Sequence, residues 1–193
     1  MRVILASQSP RRREILELLG LKFDIVVADV DEFCDIDDAG ERVEALVHQK
    51  GAAVLDKLSE DGEMTDTLII ACDTLVYADG EFLGKPKDRE DAHRMLCKLS
   101  GKPHEVWSGI YLYFNGKTIT SSESTEVIFA EMDEEEINDY LDSGEPFGKA
   151  GAYAVQGGAS RYILGLEGDY FNVVGLPVNL LYTTLKEEFG III

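Results

Sequence analysis

The sequence predicts a mixed α/β fold (α+β), in which helices flank an elongated mixed sheet and two lobes border a central substrate cleft. Short apolar runs of strand length alternate with amphipathic segments of helical length along all 193 residues. Some neighbouring strands are separated by a helix and others by a two-residue turn, so parallel and hairpin connections are mixed. No long low-complexity linker and no internal repeat divides the chain. We therefore predict a single domain over residues 1–193.

The N-terminal part of the chain predicts a strand, a helix and a second strand. Residues 2–6 form a short apolar run typical of a buried strand. Ser9 and Pro10 are typical of the cap and the first position of a helix, which Gly20 ends. Residues 23–28 predict the second strand. The first helix therefore begins directly after a polar loop that follows a strand.

The middle of the chain predicts two helices separated by a buried strand and a hairpin. Residues 39–58 have helical apolar spacing, and residues 67–72 are continuously apolar, which is typical of a strand buried on both faces. Asp79-Gly80 predicts a hairpin turn. Residues 88–99 predict the next amphipathic helix.

The C-terminal half predicts a long hairpin followed by shorter elements. Asn115-Gly116 is a hairpin signal, and Asp133 with Glu136 forms a capping box. The predicted elements are strands over 104–114 and 118–130, a helix ending before 144, strands over 162–166 and 170–174, and a helix from Pro177 to near Gly190.

The composition is ordinary for a soluble globular protein, apart from a strong acidic excess. Hydrophobic residues make up 45% and charged residues 28% of the chain, and the formal net charge is −19. Nucleic-acid binders usually carry a basic surface, so we expect no nucleic-acid partner. No apolar stretch approaches the roughly 20 residues that a membrane span needs. We therefore expect no membrane partner and a cytoplasmic location.

The cysteines and histidines show no metal-binding spacing in the sequence. Cys34, Cys72 and Cys97 form no CxxC pair, and the three histidines are scattered. We interpret the cysteines as reduced, structural thiols and expect no zinc site.

The first candidate site is the polar segment from Ser7 to Arg13. Free N–H groups and the positive dipole end make a helix N-terminus favourable for anions. Arg11, Arg12 and Arg13 lie in the first turn, where they oppose the dipole, and an anionic ligand would offset that repulsion. A solvated basic turn is the alternative interpretation, and both stay open on this motif alone.

The second candidate is Asp73, which follows the buried run at Cys72. A carboxylate leaving a central strand can hold a divalent cation or activate water, and ligand sites of open α/β sheets gather at strand ends. A turn or cap aspartate is the alternative. Cys72 itself is interpreted as a packed core residue rather than a nucleophile.

Two lysines are weaker candidates. Lys85 lies in Gly84-Lys85-Pro86, where glycine frees the backbone and proline stiffens it. It could also be an ordinary surface lysine. Lys50 falls on the apolar stripe of its predicted helix, so its side chain either extends past the core to water, the commoner case, or points into a polar cleft.

The third candidate site is the glycine-rich segment from Gly144 to Gly158. Its glycines disfavour a regular helix or strand and allow a ligand to approach the backbone closely. Gln156 offers both a donor and an acceptor, as recognition of a base edge requires. A structural turn without a ligand is the alternative.

In order and spacing, these motifs resemble the Maf family of house-cleaning nucleotide pyrophosphatases over nearly the whole chain, and the fold expected is therefore Maf/ITPase-like. The segments that carry the resemblance are Ser7-Gln8-Ser9-Pro10-Arg11-Arg12, Cys72-Asp73-Thr74, Gly84-Lys85-Pro86, Lys98-Leu99-Ser100-Gly101 with His104-Glu105-Val106, Gly148-Lys149-Ala150-Gly151-Ala152-Tyr153 with Gln156-Gly157, and Val174-Gly175-Leu176-Pro177.

The resemblance implies a role for each matching residue. Asp73 would be the general base and a metal ligand. Lys85 and Glu32 would join it as catalytic residues, with Glu32 as a second metal ligand, although neighbouring Asp29 and Asp31 make that placement ambiguous. The cofactor would be Mg²⁺ or Mn²⁺. The substrate-binding residues would be Ser7, Arg11, Arg12, Lys50, Thr74, Lys149 and Gln156.

The form of the glycine-rich segment is similar to the Maf subgroup that acts on dTTP and UTP. The resemblance therefore implies a pyrimidine nucleoside triphosphate as the substrate, with the nucleoside monophosphate and pyrophosphate as products. Two alternatives stay open. One is the same chemistry on 7-methyl-GTP, and the other is a nucleotide-binding regulator of cell division or septum formation. A homodimer is possible in this family.

Overall fold

The computed structural model describes residues 1–30, 34–60, 62 and 64–193. The strands are Arg2–Leu5 (β1), Asp24–Ile25 (β2), Thr67–Ala78 (β3), Glu81–Leu83 (β4), Pro103–Phe114 (β5), Lys117–Phe129 (β6) and Ile163–Glu167 (β7). The α-helices are Pro10–Leu18 (α1), Ala39–Glu60 (α2), Arg89–Leu99 (α3), Glu134–Asp142 (α4), Tyr170–Val174 (α5) and Val178–Phe189 (α6). The glycine-rich segment holds two short 3₁₀ helices, Ala150–Ala152 and Gly158–Tyr162.

The strands form a mixed seven-stranded sheet in the order β2-β1-β3-β5-β6-β7, with β4 paired to β3. Strand β1 is parallel to both β2 and β3, whereas β3–β4 and β6–β7 are antiparallel pairs. Parallel pairing requires a crossover, which α1 and α2 supply, and antiparallel pairing allows the short turn between β3 and β4. The mixed α/β fold predicted from the sequence is confirmed.

Both predicted hairpin turns are present. Asp79 and Gly80 have φ angles of 47° and 78°, and Asn115 and Gly116 have φ angles of 48° and 84°. Positive φ at both central residues is what a tight turn of matching twist requires, and Asp-Gly and Asn-Gly tolerate it best. The turn at Asn115-Gly116 joins β5 to β6.

The chain divides into two compact units. The first consists of Met1–Asp73, Ser108–Glu123 and Gly175–Ile193, and the second of Thr74–Trp107 and Ser124–Val174. A single domain over residues 1–193 stays a prediction.

The core of the first unit lies between helix α2 and strands β1 and β3. Val47 and Val54 of α2 pack with Ile4 and Ile69 in one buried cluster, as the helical periodicity predicted. Gly51 lies on the same helix, and a Cβ there would lie 2.1 Å from the Tyr111 ring. Glycine is therefore required where the ring meets the helix backbone.

The core of the second unit is built around helix α3 and strand β6. The apolar face of α3, which the sequence placed inward, is buried and packs with Val127 and Phe129 of β6. Asp133 caps α4 as predicted: its side chain accepts the N–H of Glu136, and the Glu136 carboxylate accepts the N–H of Asp133. The buried helical residues of α3 are Ala92, Met95, Leu96 and Leu99.

Two predicted strands are wrong in length or type. Only Asp24 and Ile25 of residues 23–28 form a strand, because β2 is at the edge of the sheet and, among the described strands, pairs with β1 alone. Tyr170–Val174 is a helix rather than a strand. The Asp169 carboxylate accepts the N–H of Phe171 at 2.7 Å, which starts the helical turn.

Three local predictions also differ from the structure. Ser9 occupies the cap position of α1, but its side chain makes no capping bond, and its N–H donates to Ser7 Oγ at 3.2 Å instead. The apolar tail after Gly190, whose sequence fits either a short strand or an interface, forms no strand over residues 191–193, and Ile192 is 76% exposed. Cys97, which was interpreted as a structural thiol, is exposed.

Within the ranges that the structure describes, no helix is long and apolar enough to cross a membrane.

Candidate active site

Asp73 lies beside two cations in the first unit. Lys50 Nζ is 2.9 Å from Asp73 Oδ2, and Arg12 Nη2 is 3.8 Å from Asp73 Oδ1. The Asp73 side chain is 13% exposed, so these charges interact with less solvent screening than a surface pair would. Of the two interpretations of Lys50, the structure supports the one in which its charge meets a polar group.

The sequence suggested that Asp73 lies at the end of its strand, but the structure places it within the strand. The fully buried stretch of β3 ends at Cys72, but the strand continues to Ala78. The extension has a physical reason, because Val76 to Ala78 pair with β4. The carboxylate therefore stands where the strand changes from full to partial burial.

Arg12 binds several groups at once. Its Nε donates to the Gly175 carbonyl at 2.9 Å, and its Nη1 donates to Ser7 Oγ at 3.1 Å. Together with the contact to Asp73, these bonds use the fork of the guanidinium, which fixes the direction of its charge. Ser7 is 7% exposed and also accepts the N–H of Ser9. The structure therefore brings together four of the predicted site residues, Ser7, Arg12, Lys50 and Asp73.

Gly175 is a site residue that the sequence analysis did not single out. Its carbonyl also accepts the Cys72 thiol, with Sγ 2.9 Å from the oxygen. The φ angle of Gly175 is 125°, a region that favours glycine. The glycine in the Val174-Gly175-Leu176-Pro177 signature is the sequence signal by which this residue could have been found.

Cys72 is a packed residue, as predicted, rather than a nucleophile. Its side chain is fully buried, and burial raises the pKa of the thiol to about 11. Because the thiolate is the nucleophilic form, a thiol held protonated beside a carbonyl is unreactive at neutral pH.

Arg11 lies next to this cluster in helix α1. Burial and the neighbouring charge of Arg12 lower the pKa of the Arg11 guanidinium. In the part of the chain that the structure describes, Arg11 makes no hydrogen bond and no ion pair. The charge of Arg11 is attracted by that of Glu14 in the same helix, and a half-buried cation also favours a nearby anionic group.

The remaining substrate residues predicted from the sequence belong to the second unit. Lys85 is exposed in the bend after β4, and Thr74 is partly buried directly after Asp73. Lys149 Nζ donates to the Glu145 carbonyl. Gln156 is exposed, and it lies between the buried Val155 and the partly buried Gly157. Their roles stay predictions.

The glycine-rich segment is held by a carboxylate that the sequence analysis did not single out. Glu145 accepts the hydroxyl of Tyr140 at 2.6 Å and the N–H of Gly158 at 3.0 Å. Burial opposes its ionisation, but these hydrogen bonds keep the pKa of Glu145 below its ordinary value. A Cβ on Gly157 would lie 2.3 Å from this carboxylate, so glycine is needed there.

A divalent metal fits the chemistry of Asp73. Mg²⁺ in phosphate sites takes one or two carboxylates and completes its coordination with phosphate oxygens and water. Lys50 Nζ lies 2.9 Å from Asp73 Oδ2, whereas Arg12 Nη2 lies 3.8 Å from Asp73 Oδ1, so Oδ1 has the longer contact with a cation. Glu32, the second predicted ligand, lies outside the described residues, as does Asp31. Asp29 is exposed.

The fold and the site define a class before any relative is considered. The protein is a mixed α/β protein in which a carboxylate on a central strand is surrounded by cations from two helices. Its fold is similar to that of the Ham1 protein of Staphylococcus aureus, with a TM-score of 0.54 and 15% sequence identity over 97% of this chain and 100% of that one.

The family follows from the sequence match. A family model described as Maf-like protein matches residues 2–188, so this chain belongs to the Maf family. The family prediction is confirmed.

Two similar proteins share one name, which describes a nucleotide pyrophosphatase. A Thermoanaerobacter sp. protein named dTTP/UTP pyrophosphatase is 42% identical over 193 residues, covering 99% of this chain and 98% of that protein. A Bacillus cereus protein of the same name is 43% identical over 187 residues, covering 96% of this chain and 95% of that protein.

Proposed function

We propose that this protein hydrolyses dTTP and UTP to the nucleoside monophosphate and pyrophosphate. The observation that carries the proposal is Asp73, a partly buried carboxylate with Lys50 at 2.9 Å and Arg12 at 3.8 Å. An acidic protein of net charge −19 gathers cations around one carboxylate, which suits a small polyanion and water activation. The relatives named dTTP/UTP pyrophosphatase support the choice of substrate.

In this mechanism Asp73 orients the water that attacks the α-phosphorus and accepts its proton. Lys50 and Arg12 contact the carboxylate and stabilise negative charge that develops on the phosphates. The fixed fork of Arg12 costs no reorganisation during the reaction, because Ser7 and Gly175 already hold it. Arg11 adds a half-buried positive charge to the same helix N-terminus.

We further propose that Asp73 and Glu32 hold Mg²⁺ or Mn²⁺. When bound, the metal supplies Lewis-acid stabilisation of the phosphate oxygens and lowers the pKa of water. Lys85 and Lys149 bind phosphate oxygens in this proposal. Thr74, Arg11 and Gln156 select the base, and a hydrogen-bonding pocket rejects a wrong base because its polar groups are left unpaired.

The test is pyrophosphate release from a panel of nucleoside triphosphates with Mg²⁺ or Mn²⁺. We expect turnover of dTTP and UTP by the wild type and a loss of at least about a hundredfold in Asp73→Asn, because the amide neither accepts a proton nor binds a metal well. Asp79→Asn is the matched control, since Asp79 pairs with Lys102 on the exposed surface. It should retain activity.

Other outcomes separate the alternatives. Preferred turnover of 7-methyl-GTP would keep the mechanism and overturn the pyrimidine assignment. Absence of turnover by folded, metal-loaded protein would favour a nucleotide-binding regulator of cell division. A cytoplasmic location and a homodimer stay predictions from the sequence.

A further inference from the structure

A second group of metal-ligand side chains lies on helices α3 and α4. His93 and Cys97 are four residues apart on α3, so they share one face of the helix. Glu134 is the first residue of α4. The two helices are joined beside this group by Arg89, whose Nη2 donates to Asn138 at 3.1 Å. None of the three side chains belongs to the site proposed for catalysis.

The three side chains are close enough to converge on one ion. His93 Nδ1 is 3.5 Å from Cys97 Sγ, and His93 Nε2 is 2.9 Å from Glu134 Oε1. One ligand atom from each of the three side chains lies within 4.8 Å of the others. Zinc bonds of about 2.0–2.3 Å place neighbouring ligand atoms about 3.3–3.8 Å apart in a tetrahedral site. The ion would take one of the two imidazole nitrogens, so closing that difference requires rotation of these side chains, all of which are partly or fully exposed.

The donor set decides which metal fits. Imidazole nitrogen, thiolate sulfur and carboxylate oxygen together suit Zn²⁺ and its neighbours among the transition metals, whereas Mg²⁺ and Ca²⁺ prefer oxygen alone. Three protein ligands leave one tetrahedral position for water. The cluster therefore differs chemically from a site built on Asp73.

The surrounding charge favours a cation. Glu134, Glu135 and Glu136 all lie in the first turn of α4. Nearby Arg94 is engaged by Glu81 and Asp91, and Arg89 pairs with Asp142 at 2.6 Å. These arginines are therefore held by other carboxylates rather than by Glu134.

A plain ion pair between His93 and Glu134 is the alternative account of the contact. Such exposed pairs contribute little and need no third partner. The ion pair does not explain the position of the Cys97 thiol, which is exposed and lies 3.5 Å from His93 Nδ1.

We propose that His93, Cys97 and Glu134 form a binding site for a borderline divalent transition metal such as Zn²⁺. The metal replaces the two hydrogen bonds of His93, and the Cys97 thiol releases its proton to solvent when it binds. The bound ion joins helix α3 to the start of helix α4.

The test uses Co²⁺, whose thiolate complexes have a charge-transfer absorption that oxygen and nitrogen ligands do not produce. We expect the full-length protein to show this absorption, saturating at one ion per chain, and Zn²⁺ to displace it. Cys97→Ser should abolish it. His93→Gln and Glu134→Gln each remove a ligand. Each should weaken Co²⁺ binding by at least about tenfold to a hundredfold, which is the effect of removing only the hydrogen-bond partner of a ligand.

Cys34→Ser and Cys72→Ser are the matched controls, because they remove the other two thiols. Both should keep the absorption, and Asp73→Asn should keep it as well. Far-ultraviolet circular dichroism of each variant shows whether it is folded. Absence of the absorption in folded wild type, or its persistence in Cys97→Ser, would overturn the proposal. Pyrophosphate release by Cys97→Ser should equal that of the wild type, so failure here is independent of the proposed function.

Discussion

At the scale of the residue, the contacts of Arg12 show why the cation at this position must be an arginine. Its guanidinium donates to Gly175 and Ser7 and lies 3.8 Å from Asp73, while its side chain is 13% exposed. A lysine carries the same charge, but its ammonium is a single point that does not span these three acceptors. The charge is thus fixed in direction as well as in position.

We expect Arg12→Lys to lower pyrophosphate release by about tenfold or more and to destabilise the protein by about 1–3 kcal/mol, because charged hydrogen bonds are lost at a partly buried site. Arg13→Lys is the matched control, since Arg13 pairs only with Glu17 among the described residues and is 59% exposed. Steady-state kinetics and urea unfolding measure the two effects. Equal behaviour of the two variants would contradict the role given to Arg12.

His104 is a buried histidine that the proposed catalytic mechanism does not use. Its side chain is 4% exposed, and its Nε2 lies 2.8 Å from the Tyr153 hydroxyl. Burial lowers the pKa of His104 to about 4 from an ordinary 6.5. Near neutral pH the ring is therefore uncharged in the folded protein.

This shift has a defined effect on stability. The unfolded chain binds a proton near pH 6.5 and the folded chain only near pH 4, so stability is complete above pH 6.5 and falls as the pH drops toward 4. We expect His104 to account for about 2 kcal/mol of the stability lost between pH 8 and pH 5. Urea unfolding of His104→Gln at both pH values should show a loss smaller by that amount. His48→Gln, at an exposed position, should retain the full loss.

At the scale of the element, the glycine-rich segment has a defined shape without regular secondary structure. Glu145 and Tyr140 replace the hydrogen-bond ladder that a helix or strand would supply. The Tyr140 hydroxyl donates to Glu145 and accepts the N–H of Ala154 at 3.2 Å. These bonds hold the backbone on both sides of Gln156.

We expect Tyr140→Phe to destabilise the protein by about 1–3 kcal/mol, because the N–H of Ala154 and the Glu145 carboxylate each lose a buried partner. The KM for dTTP should rise more than kcat falls, since the change loosens the backbone around Gln156. Tyr162→Phe is the control, because the Tyr162 hydroxyl lies 3.5 Å from its acceptor and contributes a weaker bond. An unchanged KM in Tyr140→Phe would separate this segment from substrate binding.

The elements that the sequence predicted well are those whose signals are local. The helix that begins at Ala39 repeats its apolar residues over many turns, and Asn115-Gly116 carries its own turn preference. The prediction for Tyr170–Val174 was wrong because a five-residue segment with four apolar residues fits a strand and a helix equally well. The helix was decided by the Asp169 carboxylate and by Asn172, which donates to the Val106 carbonyl at 2.9 Å.

Part of the site was also predictable because its sequence signals are local. The rest was missed because it depends on contacts that no local signal reveals. Arg12, Lys50 and Asp73 each stand out in their own segments, so the sequence indicated all three. The Gly175 carbonyl and the Glu145 carboxylate act through contacts with distant or unremarkable positions. The group at His93, Cys97 and Glu134 was also missed, because His93 and Cys97 are four apart on one helix and Glu134 is supplied by another.

At the scale of the whole molecule, the excess of acidic residues is the dominant electrostatic fact. A net charge of −19 makes the folded chain repel itself, and salt screens that repulsion. The many surface ion pairs do not remove the excess, because each pair is neutral. Stability should therefore increase with ionic strength near neutral pH.

We expect the Tm at pH 7 to rise when NaCl is increased from about 0.01 M to about 0.1 M, which shortens the Debye length from about 30 Å to about 10 Å. Each kcal/mol of relieved repulsion corresponds to about 2–4 °C for a chain of this size. The same addition near the sequence pI of about 4.4 should leave the Tm nearly unchanged, since the net charge vanishes there. A falling Tm at pH 7 would show that attractive pairs outweigh the repulsion.

The Gly175 carbonyl is made late in synthesis, long after the arginine that donates to it. Arg12 and its acceptor are 163 residues apart in the chain, and ribosomes add about 5–20 residues per second. A nascent chain therefore carries Arg12 for about 8–30 seconds before the Gly175 carbonyl that accepts its Nε–H exists. A chain that ends before Gly175 therefore lacks one of the acceptors that fix the direction of the Arg12 charge beside Asp73.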